Sequence, residues 1–210
     1  MKPRASSLVE EGEVLHTPLD KHNRMPRESL SRSNGAAPKP PALWNSHLVV
    51  DAGPRPETCG QLPRGFLDWV YGVLRLRGSG EVLHVCSGAL GPSTRGVRVD
   101  IRPEVRPDVV ADGRALPFAD ESFDAVLIDP PYSVEYAENL YGVEYPRPSA
   151  LLREAARVLR PARMVAMLHF LVPMPEPGLR FVGVHGVTTG LGYRIRALTV
   201  FAKEQRGLFS

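Results

Sequence analysis

The chain has only two cysteines, Cys59 and Cys86, with no Cys-x-x-Cys pair, which excludes a disulfide framework and the usual cysteine-based zinc sites. Its six histidines are scattered, with none at helical ligand spacing beside an acid, so no structural metal is expected. No apolar run reaches membrane-spanning length, which removes the membrane as a partner. The start, Met1-Lys2-Pro3-Arg4, is charged but is followed by no apolar stretch, so no secretory signal is read and a cytoplasmic address is expected. No internal repeat is visible. Charge of one sign is scarce too: the net balance is +3 with a pI near 9.0, mildly basic and compatible with a nucleic-acid partner.

What is present is an ordinary composition, 43% hydrophobic, in 210 residues, enough for one globular domain with a real core. Residues 1–42 are polar and aperiodic, ending in Pro38-Lys39-Pro40-Pro41, and read as a flexible arm. Residues 43–210 read as a single domain. An amphipathic helix is expected over Pro63–Leu76, where Phe66, Leu67, Trp69, Val70, Val73 and Leu74 recur at helical spacing before Gly78. A second is expected over Ser149–Leu159, with Ser149 as its cap and Pro161 ending it.

Short apolar runs supply the strands: Val82–Cys86, Val97–Ile101, Asp108–Ala111, Phe123–Ile128 and Met164–Phe170. Phe181–Val187 and Arg194–Phe201 follow, joined by a glycine-rich turn through Gly190 and Gly192. Nearly wholly apolar strands belong in a sheet covered on both faces, hence mostly parallel. The last connection is too short for a helical crossover, so the final pair should be antiparallel. The fold class is therefore α/β, a mostly parallel sheet with a C-terminal antiparallel hairpin.

In open α/β sheets ligands bind beyond the carboxyl ends of the strands. There the sequence places a loop of small residues, Cys86-Ser87-Gly88-Ala89, which lets a ligand approach the backbone. Asp100, followed by Ile101, closes the second strand. Asp112-Gly113 follows the third and Asp129-Pro130-Pro131-Tyr132 the fourth. Tyrosines 132, 136, 141 and 145 form an aromatic-rich segment that either lids this edge or merely covers the sheet. His84 and Cys86, inside an apolar strand, read as packing residues.

In these features residues 81–201 resemble the class I S-adenosylmethionine-dependent methyltransferases, Rossmann-like in fold, and among them the type whose Asp-Pro-Pro-Tyr motif serves methylation of amino nitrogens on nucleic-acid bases. The resemblance rests on Gly88, on Asp100 closing Val97-Arg98-Val99-Asp100, on the run from Asp108 to Tyr132, and on residues 151–161. It implies S-adenosyl-L-methionine as cofactor. Cys86, Ser87 and Gly88 would pack on its methionine part, Asp100 and Ile101 would meet the ribose, and Asp112 and Gly113 the adenine amine. Leu116 and Phe118 would lie near the purine ring, and Asp129 would border the cofactor as well as the substrate.

The resemblance also implies the chemistry. An aromatic amine is a poor nucleophile because its lone pair is delocalised. The Asp129 carboxylate and the Pro130 carbonyl would accept its two N–H groups and stabilise charge developing on nitrogen. Pro130 and Pro131 would stiffen the loop, and Tyr132 would stack on a base flipped from its duplex. Adenine N6 in DNA is the leading target, with cytosine N4 and an RNA base close behind. The alternatives are methylation of a small molecule or a protein amine, and a non-catalytic binding subunit of the same fold.

Two departures from the family pattern stand out. The glycine motif is degraded to His84, Cys86, Gly88 and Leu90, without the strand-end acid. The connection Ala89–Gly96 is too short for the usual first crossover helix. Residues 43–62, a homodimer mate or a partner subunit is expected to cover that gap.

Overall fold

The computed structural model describes residues 48–49, 62, 65–188 and 194–205. The expected arm, most of residues 43–62 and the glycine-rich turn at 189–193 lie outside them.

One sheet of eight strands carries the fold: β1 (Leu48–Val49), β2 (Val82–Val85), β3 (Val97–Asp100), β4 (Val109–Val110), β5 (Phe123–Ile128), β6 (Leu159–His169), β7 (Leu179–Thr188) and β8 (Arg196–Lys203). Their spatial order is β1-β7-β8-β6-β5-β2-β3-β4. The strands from β4 through β6 pair in parallel, and β8 runs antiparallel to both β6 and β7. The parallel sheet with an antiparallel C-terminal hairpin is as expected. β8 inserts between β6 and β7, and the two-residue β1 adds a parallel edge beside β7 that the sequence patterning did not reveal.

Two α-helices are described, α1 (Phe66–Val73) and α2 (Pro148–Val158), and they serve opposite faces. Alternation along each strand divides the core. Phe66, Val70 and Val73 of α1 join Val82, Ala125, Leu127, Ala166 and Leu168. Leu151, Leu152, Ala155 and Val158 of α2 join Leu83, Val85, Val126, Ile128 and Met167. α1 is shorter than its apolar pattern, whereas α2 has the expected length of 11 residues, shifted by one position. The second begins with Pro148 at its first turn and Arg147 at the cap position, so Ser149 lies inside the helix and does not cap it.

No helix joins β2 to β3, as the short connection required. Residues 89–96 run as turns, pinned from beneath by His84, whose Nε2 lies 2.9 Å from the Arg95 carbonyl oxygen and 3.1 Å from the Tyr71 hydroxyl. Tyr71 of α1 thus braces the stretch where a crossover helix would sit. Gly96, with φ of 96°, passes so close to the Val82 carbonyl that a side chain there would meet the backbone.

β6 starts earlier than its apolar run. Leu159 pairs with Phe123, and the register then shifts so that Met164 pairs with Ala125. Ala162, with φ of 60°, sits in that irregularity. Asp124 staples it through Arg160 at 2.8 Å and Arg163 at 3.2 Å. None of the described helices is long and apolar enough to cross a membrane.

Candidate functional site

The carboxyl ends of β2, β3, β4 and β5 open into one cavity. It brings together Cys86, Gly88, Asp100, Ile101, Asp112 and Gly113 with Asp129, Pro130, Pro131 and Tyr132. Of the thirteen positions expected at the site, ten line the cavity, and the exceptions are Ser87, Leu116 and Phe118.

 Phe118 is half-buried, and its ring packs edge-on against the core residue Phe123 at 5.0 Å.

Leu116 departs from its expected place beside a purine ring for a physical reason. It is buried in the core, and its N–H donates to Glu154 Oε1 at 2.9 Å. Arg157 of α2 holds the same segment, donating to the carbonyls of Leu116 and Phe118 at 2.9 and 2.8 Å. Residues 116–118 are thus clamped to α2. Ser87 is likewise buried, and its hydroxyl has no hydrogen-bond partner.

Cys86 has φ of 56° and Gly88 φ of 51°, so the turn after β2 passes twice through the left-handed region. A cysteine there bears strain that a glycine would not. Burial, with the nearby carboxylates of Asp100, Asp129 and Asp112, pushes the Cys86 thiol far up, which keeps it protonated and unreactive.

Asp100 is buried and organises the turn. Its Oδ2 accepts the Gly88 N–H at 2.8 Å, and its Oδ1 accepts the backbone N–H and Nε of Arg102 at 3.0 and 3.1 Å. Asp112 closes an Asx turn by accepting the Arg114 N–H at 2.8 Å, and Arg114 Nη2 returns to its Oδ2 at 2.7 Å. The Arg114 guanidinium holds the Asp112 carboxyl below its usual range.

The tyrosine-rich segment roofs the cavity, since Tyr132, Tyr136 and Tyr141 all line it. The same two arginines tie the roof down. Arg102 stacks on Tyr141 at 4.7 Å, and Arg114 reaches Glu144 at 3.0 Å. The roof includes a stretch of π-helix, Tyr136–Leu140, that periodicity did not indicate.

Asp129 differs from the other two carboxylates. No arginine pairs with it directly, and burial pushes its carboxyl up to about 6 against the opposing pull of the Tyr132 hydroxyl and Arg196. The Tyr132 hydroxyl donates to Asp129 Oδ1 at 2.8 Å, and its ring packs on Phe170 at 4.5 Å and edge-on to His169 at 5.7 Å. The ring expected to stack on a substrate base thus rests on Phe170 and His169 in this structure. Arg102, Arg114 and Arg196 all line the cavity, yet nothing in the motif reading pointed to them.

The donor and acceptor set fits S-adenosylmethionine. Carboxylates at the ends of adjacent strands suit a ribose diol and an exocyclic amine, and Ile101, Val143 and Leu151 offer apolar walls. Gly113 keeps the floor open: a Cβ there would lie 2.6 Å from Val85 Cγ1 and 2.9 Å from Leu151 Cδ2.

Residues 77–167 match the family described as methyltransferase domain. The match spans 91 of the chain's 210 residues. No curated protein matches the chain. Among solved structures, TrmN from Thermus thermophilus is similar over 68% of this chain, with 22% identity and a TM-score of 0.51. The chain spans only 49% of that protein's length. A putative methyltransferase from Bacillus halodurans C-125 is similar over 67% of this chain and 100% of its own, at 16% identity and a TM-score of 0.49. The PH0226 protein from Pyrococcus horikoshii OT3 is similar over 66% of this chain and 87% of its own, at 18% identity and a TM-score of 0.46. The likeness to the Thermus protein shows the fold of this domain, a Rossmann-like sheet.

Proposed function

We propose that this chain transfers a methyl group from S-adenosyl-L-methionine to an exocyclic amino nitrogen of a nucleic-acid base, with adenine N6 in DNA as the leading target. The observation that carries this reading is the placement of Asp129-Pro130-Pro131-Tyr132 at the end of β5. There it opens into the same cavity as Gly88, Asp100 and Asp112.

Asp100 and Asp112 would hold the cofactor's ribose and adenine, with Cys86, Gly88, Ile101 and Gly113 forming its bed. Asp100 already accepts three short hydrogen bonds, so a ribose hydroxyl takes remaining acceptor capacity or displaces Arg102. Bound there, the cofactor supplies an electrophilic methyl on a sulfonium. The chain supplies acceptors for the amine: the Asp129 carboxylate and the Pro130 carbonyl take its two N–H groups and stabilise positive charge developing on nitrogen. The roof of residues 132–146 excludes water.

Two observations outside the motif agree with a nucleic-acid substrate. The chain is basic overall, and Arg194 lies over the Phe170 ring at 5.6 Å beside the exposed Tyr136, the mixture of cation and aromatic surface that unstacked bases favour. A second reading, a small-molecule amine, is favoured by the roof itself, whose ties to Arg102 and Arg114 close the cavity to a bulky duplex. In either case the partner of the reaction is the substrate; a homodimer mate or activator subunit would act on the face left thin between β2 and β3.

Labelled methyl transfer to DNA, RNA and a metabolite extract, with nucleoside analysis of the product, separates the readings. N6-methyladenine in DNA is the expected product. Label appearing only in the metabolite fraction would establish the second reading instead.

A further inference from the structure

We propose that Arg196 is a positioning residue that orients the Asp129 carboxylate through the Tyr132 hydroxyl, leaving Asp129 Oδ2 as the oxygen that receives the substrate amine. Of the three arginines that line the cavity, Arg102 and Arg114 are each committed to a carboxylate two residues upstream. Arg196 comes from the far side of the sheet. Ala197 pairs with His169 in the antiparallel register of β8 and β6, so Arg196 stands at the carboxyl end of β6, beside the loop that follows β5.

Its Nη1 donates to the Tyr132 hydroxyl oxygen at 3.2 Å. A phenol carries one proton, and an oxygen already accepting from a guanidinium has its own proton free to point elsewhere. That proton goes to Asp129 Oδ1, at 2.8 Å. The chain Arg196–Tyr132–Asp129 therefore has one direction, with every donor and acceptor assigned. Asp129 Oδ2 has no hydrogen-bond partner among the described residues.

The middle member cannot swivel away. Its ring rests on Phe170 and on the edge of His169. His169 is itself fixed, because the Leu171 N–H donates to its Nδ1 at 3.0 Å and its Nε2 faces the Tyr145 hydroxyl at 3.3 Å. An Nδ1 that accepts places the ring proton on Nε2, so His169 is neutral. The groups facing Asp129 are thus Tyr132 and Arg196 on one side, the protonated Cys86 thiol below, and neutral His169 behind Tyr132.

The orientation does not depend on what is methylated; only the role given to Oδ2 rests on the reading of the site as an amine methyltransferase. The test follows the carboxylate directly. The full chain is labelled with carboxyl-¹³C aspartate, and the Asp129 resonance, assigned by its loss in Asp129→Asn, is titrated in the wild type, Arg196→Met, Arg196→Lys, Tyr132→Phe and the double variant Tyr132→Phe with Arg196→Met. Arg196→Met should raise the Asp129 midpoint by about one pH unit, the scale of losing a nearby opposite charge. Arg196→Lys should restore part of that shift, and in the Tyr132→Phe background Arg196→Met should add clearly less.

An unchanged midpoint in Arg196→Met overturns the proposal. So does a shift of equal size with and without the Tyr132 hydroxyl, which would mean that the two side chains act independently. In parallel, methyl transfer to an oligonucleotide containing adenine and cytosine is followed against pH. Its acid limb should move with the titration. A shifted titration with no oligonucleotide methylation supports the relay and refutes the base-amine reading.

Discussion

The two halves of the cavity handle negative charge in opposite ways. On the side proposed for the cofactor, Asp100 and Asp112 are each neutralised by an arginine two residues along the chain, Arg102 and Arg114. On the side proposed for the substrate, Asp129 is hydrogen-bonded by the Tyr132 hydroxyl with no arginine paired to it directly, and burial pushes it up to about 6. The first arrangement gives permanent acceptors, suited to holding a ligand whose hydrogen bonds do not change. The second gives a carboxylate close to its protonation point, which gains most when a cation or a developing positive charge arrives beside it.

The widest gap between the halves should appear in single substitutions. Asp129→Asn should lower methyl transfer by about 10²–10³-fold, the scale of removing one preorganised electrostatic partner, with cofactor affinity nearly unchanged. Single-turnover transfer beside calorimetric cofactor binding checks this. Gly96→Ala addresses the thin cofactor side, where no helix covers the β2–β3 connection. It should destabilise the fold by about 3 kcal/mol, because a left-handed φ and a backbone collision add, and urea unfolding reads it directly.

Asp100→Ala should weaken cofactor binding by about 10–100-fold, the range for a lost hydrogen bond to a charged group. If Asp100 serves only the turn at Gly88, cofactor affinity and thermal stability would fall together. A loss of affinity with unchanged melting places the carboxylate on the ligand.

The pH dependence sharpens the same contrast. A carboxyl raised to about 6 is an acceptor above that value and protonated below it. Transfer should therefore be level above about pH 7 and fall by about tenfold per pH unit well below 6. Cofactor affinity, resting on the arginine-held Asp112, should stay flat across that window. The smallest effect belongs to the roof: Glu144→Gln should change cofactor affinity by no more than about twofold, since Glu144 is exposed and its pairing with Arg114 is screened.

Much of this organisation is legible in the residues. Apolar runs at 82–85, 97–100 and 123–128 became β2, β3 and β5, because buried parallel strands need continuous apolar sequence and little else. The absence of a first crossover helix followed from counting residues. The acids at strand ends converged because parallel strands end on one edge. What pattern could not show was which side chains already occupy one another. Leu116 and Phe118 looked like ligand neighbours, yet Arg157 and Glu154, some forty positions downstream, draw them to α2.

Arg196 was missed for a related reason: 64 positions separate it from Tyr132, and no local motif marks it. The antiparallel direction of the last strand held the available clue. It returns the start of that strand to the edge where Asp129 sits, so a charged residue at its first position belongs to the site. Tyr132 was recognised but its bond to Asp129 was not, because no local pattern shows which acceptor a phenol finds. The bulge in β6 escaped because Leu159-Arg160-Pro161 reads as a helix end, whereas Asp124 pulls both Arg160 and Arg163 across it.

The reaction proposed is methyl transfer from S-adenosylmethionine to a base amine held by Asp129. Its most direct test is transfer of a labelled methyl group to single-stranded DNA by the full chain, with the product digested to nucleosides, for the wild type beside Asp129→Asn. Labelled N6-methyladenine is expected with the wild type, and its near-complete loss in the variant, which still binds the cofactor. Equal labelling by both proteins, or no labelled nucleoside from a wild type that binds cofactor, would contradict it.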